Sequence, residues 1–222
     1  MNGNPTFISP LLISLSFVFC LSACTAQPYS EQAITPISNH SNLQSLTANS
    51  NKPFITQPQP DNYSICLHNT CSEIAFVSLS DVQWQNIESL FFPKSSSAQQ
   101  ERQQIKLAIA LLERYTGQQT GTFLDRAKND LSQGIQGQMD CIDEATNSTV
   151  YLRLLQNAKL LTWHTQSSRT SRGFLTSPHN TATILELKTQ QRFAVDSWFE
   201  ANGESPHIVP LAEWKAGWEP QQ

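Results

Sequence analysis

Residues 137–147 read GQMDCIDEATN, and the way this stretch starts a helix organises the rest of the chain. Asp140 is a good N-cap, because its short carboxylate can accept from the free N–H groups of the turn that follows. Cys141 then falls on the first turn of a helix reaching about Gln156, with a buried stripe through Ile142, Ala145, Thr149, Leu152 and Leu155. Upstream, Glu73–Leu79 alternates like a strand, and Ser80 suits the cap of a short helix from Asp81 to Phe91. Ser97 with Gln100 predicts a capping box for a longer helix to Tyr115, striped by Ile105, Ala108, Leu112 and Tyr115 with Ile109 beside them and ended by Gly117. Downstream come two strand-like runs, Thr181–Leu187 and Arg192–Trp198, separated by polar LKTQQ, then a short helix from Ala212 to Gly217. Helices first and paired strands second predict an α+β domain, over residues 63–222.

The first 62 residues read differently. LLISLSFVFCLSA (11–23) is an apolar run too short to span a bilayer comfortably, placed where a signal peptide keeps its apolar segment. It ends in LSAC, which resembles the bacterial lipobox that marks Cys24 for lipidation and residues 1–23 for removal. The resemblance implies a cell-envelope protein held by its N-terminal lipid. Thr25 in the position after the cysteine favours the outer membrane, facing the periplasm. Residues 24–62 are mostly Ser, Asn, Gln, Thr and Pro, with charges only at Glu31, Lys52 and Asp61, and predict a disordered tether. Net charge is −4, charged residues make up only 14%, and no run of Lys or Arg occurs, which argues against nucleic acid as a partner.

The five cysteines can be sorted. Cys20 leaves with the signal segment, Cys24 takes the lipid, and Cys66 and Cys71 are close enough to form a disulfide in an oxidising compartment. Cys141 remains alone. At a helix N-terminus the free N–H groups and the helix dipole favour a thiolate, while Asp140, Asp143 and Glu144 oppose it, so a nucleophile here needs an imidazole partner. His179 stands just ahead of one strand and Asp196 lies within the next, in AVDSW.

Cysteine at a helix start, then His leading a strand, then Asp on the following strand before an aromatic resembles the transglutaminase-like branch of papain-like cysteine hydrolases. The matching pieces are DCIDEATN with YLRLL behind it, PHNTATILEL and RFAVDSWF. The C-terminal half is also similar to uncharacterised exported bacterial proteins. The resemblance implies a nucleophile-bearing helix packed on an antiparallel sheet, with Cys141 as nucleophile, His179 as acid/base and Asp196 as the orienting residue. It further implies acyl chemistry through a thioester on a peptide-like or peptidoglycan-derived substrate, with no cofactor and no metal. The sequence departs from the pattern at Asn180, where an aromatic often follows the histidine.

Three points stay open at this level. A turn centred on Lys188–Gln191 sets Thr183 opposite Asp196 and leaves His179 four residues away; a turn centred between Leu187 and Lys188, or a bulge, restores the pairing. The backbone N–H of Cys141, helped by Gln136 or Gln138, is the candidate oxyanion hole. Two other readings compete: a fold-only envelope scaffold without chemistry, and a metal site at Cys66, His68 and Cys71, whose three ligands lack the common paired spacing.

Overall fold

The computed structural model describes residues 53–129, 135–173 and 178–221, besides Met1. The chain divides into a unit ending at Asn39 and one from His40 to Gln222, and every described residue except Met1 lies in the second. The signal segment, Cys24 and the tether as far as residue 52 lie outside the described residues.

The ordered chain starts earlier than residue 63. Phe54 packs against the core, Ile55 donates its N–H to Ser64 Oγ at 2.8 Å, and Pro60 accepts from the Leu79 N–H at 2.8 Å. The expected tether is therefore too long by its last ten residues. Two apolar side chains to bury and three prolines that restrict the unfolded chain lower the cost of ordering this piece.

Strands β1 (Tyr63–Leu67) and β2 (Glu73–Val77) form an antiparallel hairpin. Helix α1 (Asp81–Ser89) starts at Ser80 with the reciprocal Ser80–Gln83 capping box. Helix α2 (Ala98–Thr120) starts at Ser97 as expected, although Gln100 turns its side chain to Ser96 instead of completing the box. It also runs through Gly117 and ends at Gly121, which takes the left-handed C-cap with φ 84°. Gly117 is needed for another reason: a Cβ there would lie 2.8 Å from the Phe123 nitrogen, so only glycine lets the following turn fold back on the helix.

Helix α3 (Cys141–Asn157) is the centre of the domain, packed on β1 to one side and on the large sheet to the other. It is buried almost all round, through Glu144, Asn147, Ser148, Val150, Tyr151 and Leu154 as well as the expected stripe, while Ile142 is only half-buried. A helix covered on several sides does not show one apolar face. The large sheet is fully antiparallel, in the order β3 (His164–Arg172), β4 (His179–Glu186), β5 (Arg192–Asp196) and β6 (His207–Pro210), followed by α4 (Leu211–Lys215). The α+β class is thus as expected. Among the described residues no helix is long and apolar enough to cross a membrane.

Two buried ionic networks pin these layers. Glu101 on α2 accepts the N–H groups of Thr162, Trp163 and His164 and the His164 ring at 2.9 Å, fixing the start of β3. Burial pushes the Glu101 carboxyl up, but these hydrogen bonds outweigh it and hold it below its ordinary value. Arg102 lies over the Phe193 ring at 4.2 Å and donates to Glu186 on β4 at 2.9 Å.

Candidate active site

Cys141 stands where a helix N-terminus meets the start of a strand. The Asp140 carboxylate caps α3, accepting from the N–H groups of Ile142 and Asp143 at 2.9 Å each and leaving that of Cys141 outside the cap. The strand start wraps the thiol with three consecutive residues. Cys141 Sγ donates to the Pro178 carbonyl at 3.9 Å, Asn180 Nδ2 approaches Sγ at 3.7 Å, and the His179 imidazole between them lies close enough for the sulfur to raise its pKa.

His179 Nε2 meets Asp196 Oδ2 at 2.7 Å, which leaves Nδ1 for the thiol. The register that allows this falls between the two considered from sequence. Ala182 pairs with Val195 and Leu185 with Arg192, so continuing the ladder puts Thr181 opposite Asp196. His179 is two residues further along the same face, within diagonal reach of a ring side chain. The turn accounts for it: Glu186 donates its N–H to the Gln191 carbonyl at 2.8 Å, closing a four-residue loop in which Gln190 takes φ 58°.

The ring is boxed by aromatics. Trp198, Phe199 and Trp214 place their centroids 4.7, 5.4 and 5.5 Å from that of His179. Burial pulls the His179 pKa down, but the hydrogen bonds to Asp196 and Cys141 and the charges of both outweigh it, and the ring is raised to about 9. The imidazole is therefore held as imidazolium beside the sulfur at neutral pH. Trp214, which sequence reasoning missed, is fully buried and donates Nε1 to Asp196 Oδ2 at 2.6 Å. Asp196 is thus clamped between two donors, and Arg172 secures Trp214 in turn by bonding its carbonyl at 2.6 Å.

The two glutamines do not join this group. Gln138 is buried with its amide nitrogen on the Leu124 carbonyl and its oxygen on Asn129, and Gln136 is exposed. Both sit on a loop pressed against α2: a Cβ at Gly137 would lie 2.4 Å from the Gly121 carbonyl, and its φ of 79° also suits glycine.

Cys66 and Cys71 are bonded to each other, with Cα atoms 4.5 Å apart. Between them the backbone is unusual: His68, Asn69, Thr70 and Cys71 all have φ between 55° and 59°. Four consecutive left-handed residues are costly for side chains with a Cβ. Three N–H groups repay it by converging on the cap of α3, those of Asn69 and Cys71 on Asp143 and that of Thr70 on Asp140, each at 2.7 Å. The disulfide loop therefore braces the turn that carries Cys141. The ligating atoms of Cys66, Cys71 and Asp143 lie within 4.8 Å of one another. A cation does not suit them, since both sulfurs are spent in the S–S bond and N–H donors already point at the carboxylate. His68, the third ligand considered from sequence, faces Glu73 at 3.3 Å.

Of the acidic residues expected to oppose a thiolate, burial disarms Glu144, while Asp143 stays mostly charged at neutral pH. Burial raises Glu144 well above its ordinary value, helped by the charges of Glu113 and Asp125, and burial raises Asp143 to about 6, helped by Asp140. Glu113 on α2 goes up to about 7 through burial, against the hydrogen bond from the Gly203 N–H at 3.0 Å. These carboxyls keep protons that the unfolded chain would release, so their contribution is present below about pH 4.5 and is lost as pH rises through the folded values. His179 acts in the same direction, its contribution being lost as pH rises through about 9. Glu113 alone is worth up to about 3 kcal/mol across this range. The Tm should therefore drop by roughly 5–10 °C between pH 5 and pH 8. Glu113→Gln, which keeps an acceptor for Gly203 without the charge, should flatten that slope; a Tm that climbs over the interval contradicts the sign.

Comparison with protein families, with curated proteins and with solved structures finds no match for this chain.

Proposed function

We propose that the chain is a cysteine hydrolase or acyltransferase of the transglutaminase-like kind, working on a peptide-like amide or ester. The observation that carries this reading is His179, whose ring bonds Asp196 at 2.7 Å and lies close enough to the Cys141 sulfur to be raised by it, between two residues, Pro178 and Asn180, that both contact that sulfur. Nucleophile, acid/base and orienting group in contact form the chain that acyl transfer through a covalent intermediate requires. The nucleophile's position at the head of a helix packed on the strands bearing the other two supports the transglutaminase-like arrangement in particular.

In this scheme the Cys141 sulfur gives its proton to the His179 imidazole and attacks the carbonyl carbon, forming the C–S bond and moving the carbonyl electrons onto oxygen. Collapse of the intermediate re-forms the carbonyl and expels the amine or alcohol, which takes its proton from His179. Water, or an amine acceptor, then gives its proton to His179 and attacks the thioester, releasing product and Cys141. The aromatic box keeps water away from the His179–Asp196 pair throughout.

The setting proposed for this chemistry is the outer membrane, facing the periplasm, with Cys24 lipidated and a peptidoglycan-derived peptide as substrate. Cys24→Ser should then move the protein from the membrane to the soluble fraction. For the chemistry, p-nitrophenyl acetate should leave one acetyl group on Cys141, found by peptide mass mapping, with none on Cys141→Ala. The rival reading, a scaffold without chemistry, expects no acetyl adduct on Cys141.

A further inference from the structure

We propose that Asn180 is a catalytic residue, its side-chain amide supplying the second donor of the oxyanion hole beside the backbone N–H of Cys141. The assignment rests on the acyl-transfer reading above and adds a residue to it.

A tetrahedral intermediate on Cys141 carries a negative oxygen one bond beyond the carbon that the sulfur has attacked, and that oxygen needs fixed donors. The cap of α3 uses the N–H groups of Ile142 and Asp143, so Cys141 supplies one backbone donor. Gln138 cannot supply the other, because both ends of its amide are engaged away from the thiol. The His179 ring is also committed, with Nε2 on Asp196 and its other nitrogen toward the sulfur as acid/base.

Asn180 meets the requirement. Its Nδ2 is 3.7 Å from Sγ and half-buried, on the strand that also delivers His179. A neutral amide is well suited: it donates without competing for the proton that His179 must move, and it adds no charge beside the sulfur. At 3.7 Å the amide already donates weakly to the sulfur, and from there it reaches an oxygen that forms on the carbon bonded to that sulfur. A bond to a charged oxygen is stronger than one to sulfur, so the donor serves the transition state more than the ground state, which is where binding accelerates a reaction. The strand holds it in place, since Asn180 pairs with Ser171 on β3.

The test compares two reactions of the same sulfur in the full-length protein. Acylation by p-nitrophenyl acetate passes through an oxyanion; alkylation by iodoacetamide attacks a saturated carbon and forms none. Asn180→Ala should slow acylation by roughly 10²- to 10³-fold while alkylation stays within about twofold. Asn180→Asp, which keeps the volume and removes the N–H donors, should lose acylation at least as fully. Folding is checked by an unchanged far-ultraviolet spectrum and Tm. If the wild-type protein is alkylated and never acylated, the acyl-transfer reading fails and Asn180 falls with it. If the wild type is acylated and Asn180→Ala is acylated as fast, or loses both reactions in equal measure, the oxyanion role alone is overturned.

Discussion

With His179 replaced by alanine, ester turnover at Cys141 should fall by roughly 10⁴-fold, and alkylation of the thiol at pH 6 should fall with it. Two roles are lost together. The imidazolium that stands beside the sulfur up to about pH 9 is gone, and so is the group that returns a proton to the leaving amine or alcohol. His207→Ala is the proper control, because that ring is half-buried and bonds Glu200 at 2.7 Å away from the thiol. His164 is not a control: it is fully buried against Glu101, and its removal would leave a buried carboxylate short of a partner. Equal losses in the His179 and His207 variants, measured as initial rates, would show that folding and not chemistry had been disturbed.

Asp196 carries the second large effect. It is buried and accepts from His179 Nε2 and from Trp214 Nε1 through the same oxygen. Asp196→Asn should lower turnover by roughly 10³- to 10⁴-fold, because an amide cannot stabilise the imidazolium and can present a donor where an acceptor is needed. The His179→Ala/Asp196→Asn double variant should be scarcely worse than His179→Ala, since the orienting group has nothing left to orient. Trp214→Phe separates positioning from charge. It keeps most of the ring and removes one donor to a charged group, which should cost about 1.5–3 kcal/mol of stability. Turnover should fall by only about tenfold, with KM nearly unchanged. A Trp214→Phe protein as inactive as Asp196→Asn would mean that the indole does more than hold the carboxylate.

What could be read before the structure was mostly side-chain chemistry with its order along the chain. Cys141, His179 and Asp196 were legible as an ordered set: a lone cysteine at a helix start, a histidine leading a strand and an aspartate on the strand after it. The register between the last two was not, since a four-residue turn and a two-residue offset leave the same alternating pattern. Trp214 left no usable signal: it sits on a five-residue helix, and only the closure of β6 against β5 brings it to Asp196. Asn180 was visible, but as a departure from a pattern, because its value depends on a distance to Cys141 that no spacing encodes. Strand β3 was missed because HTQSSRTSR has no apolar period, as suits a strand at the edge of its sheet. Gly117 was misread as a stop because a glycine that serves close packing and one that ends a helix look alike in sequence.

The central claim is that Cys141 and His179 are coupled, and the most direct measurement is the titration of the His179 ring by NMR in the wild type and in Cys141→Ala. The ring should titrate near 9 in the wild type and at a lower pH once the sulfur that helps to raise it is removed. A ring that titrates near its ordinary value of about 6.5, at the same pH in both proteins, would contradict it.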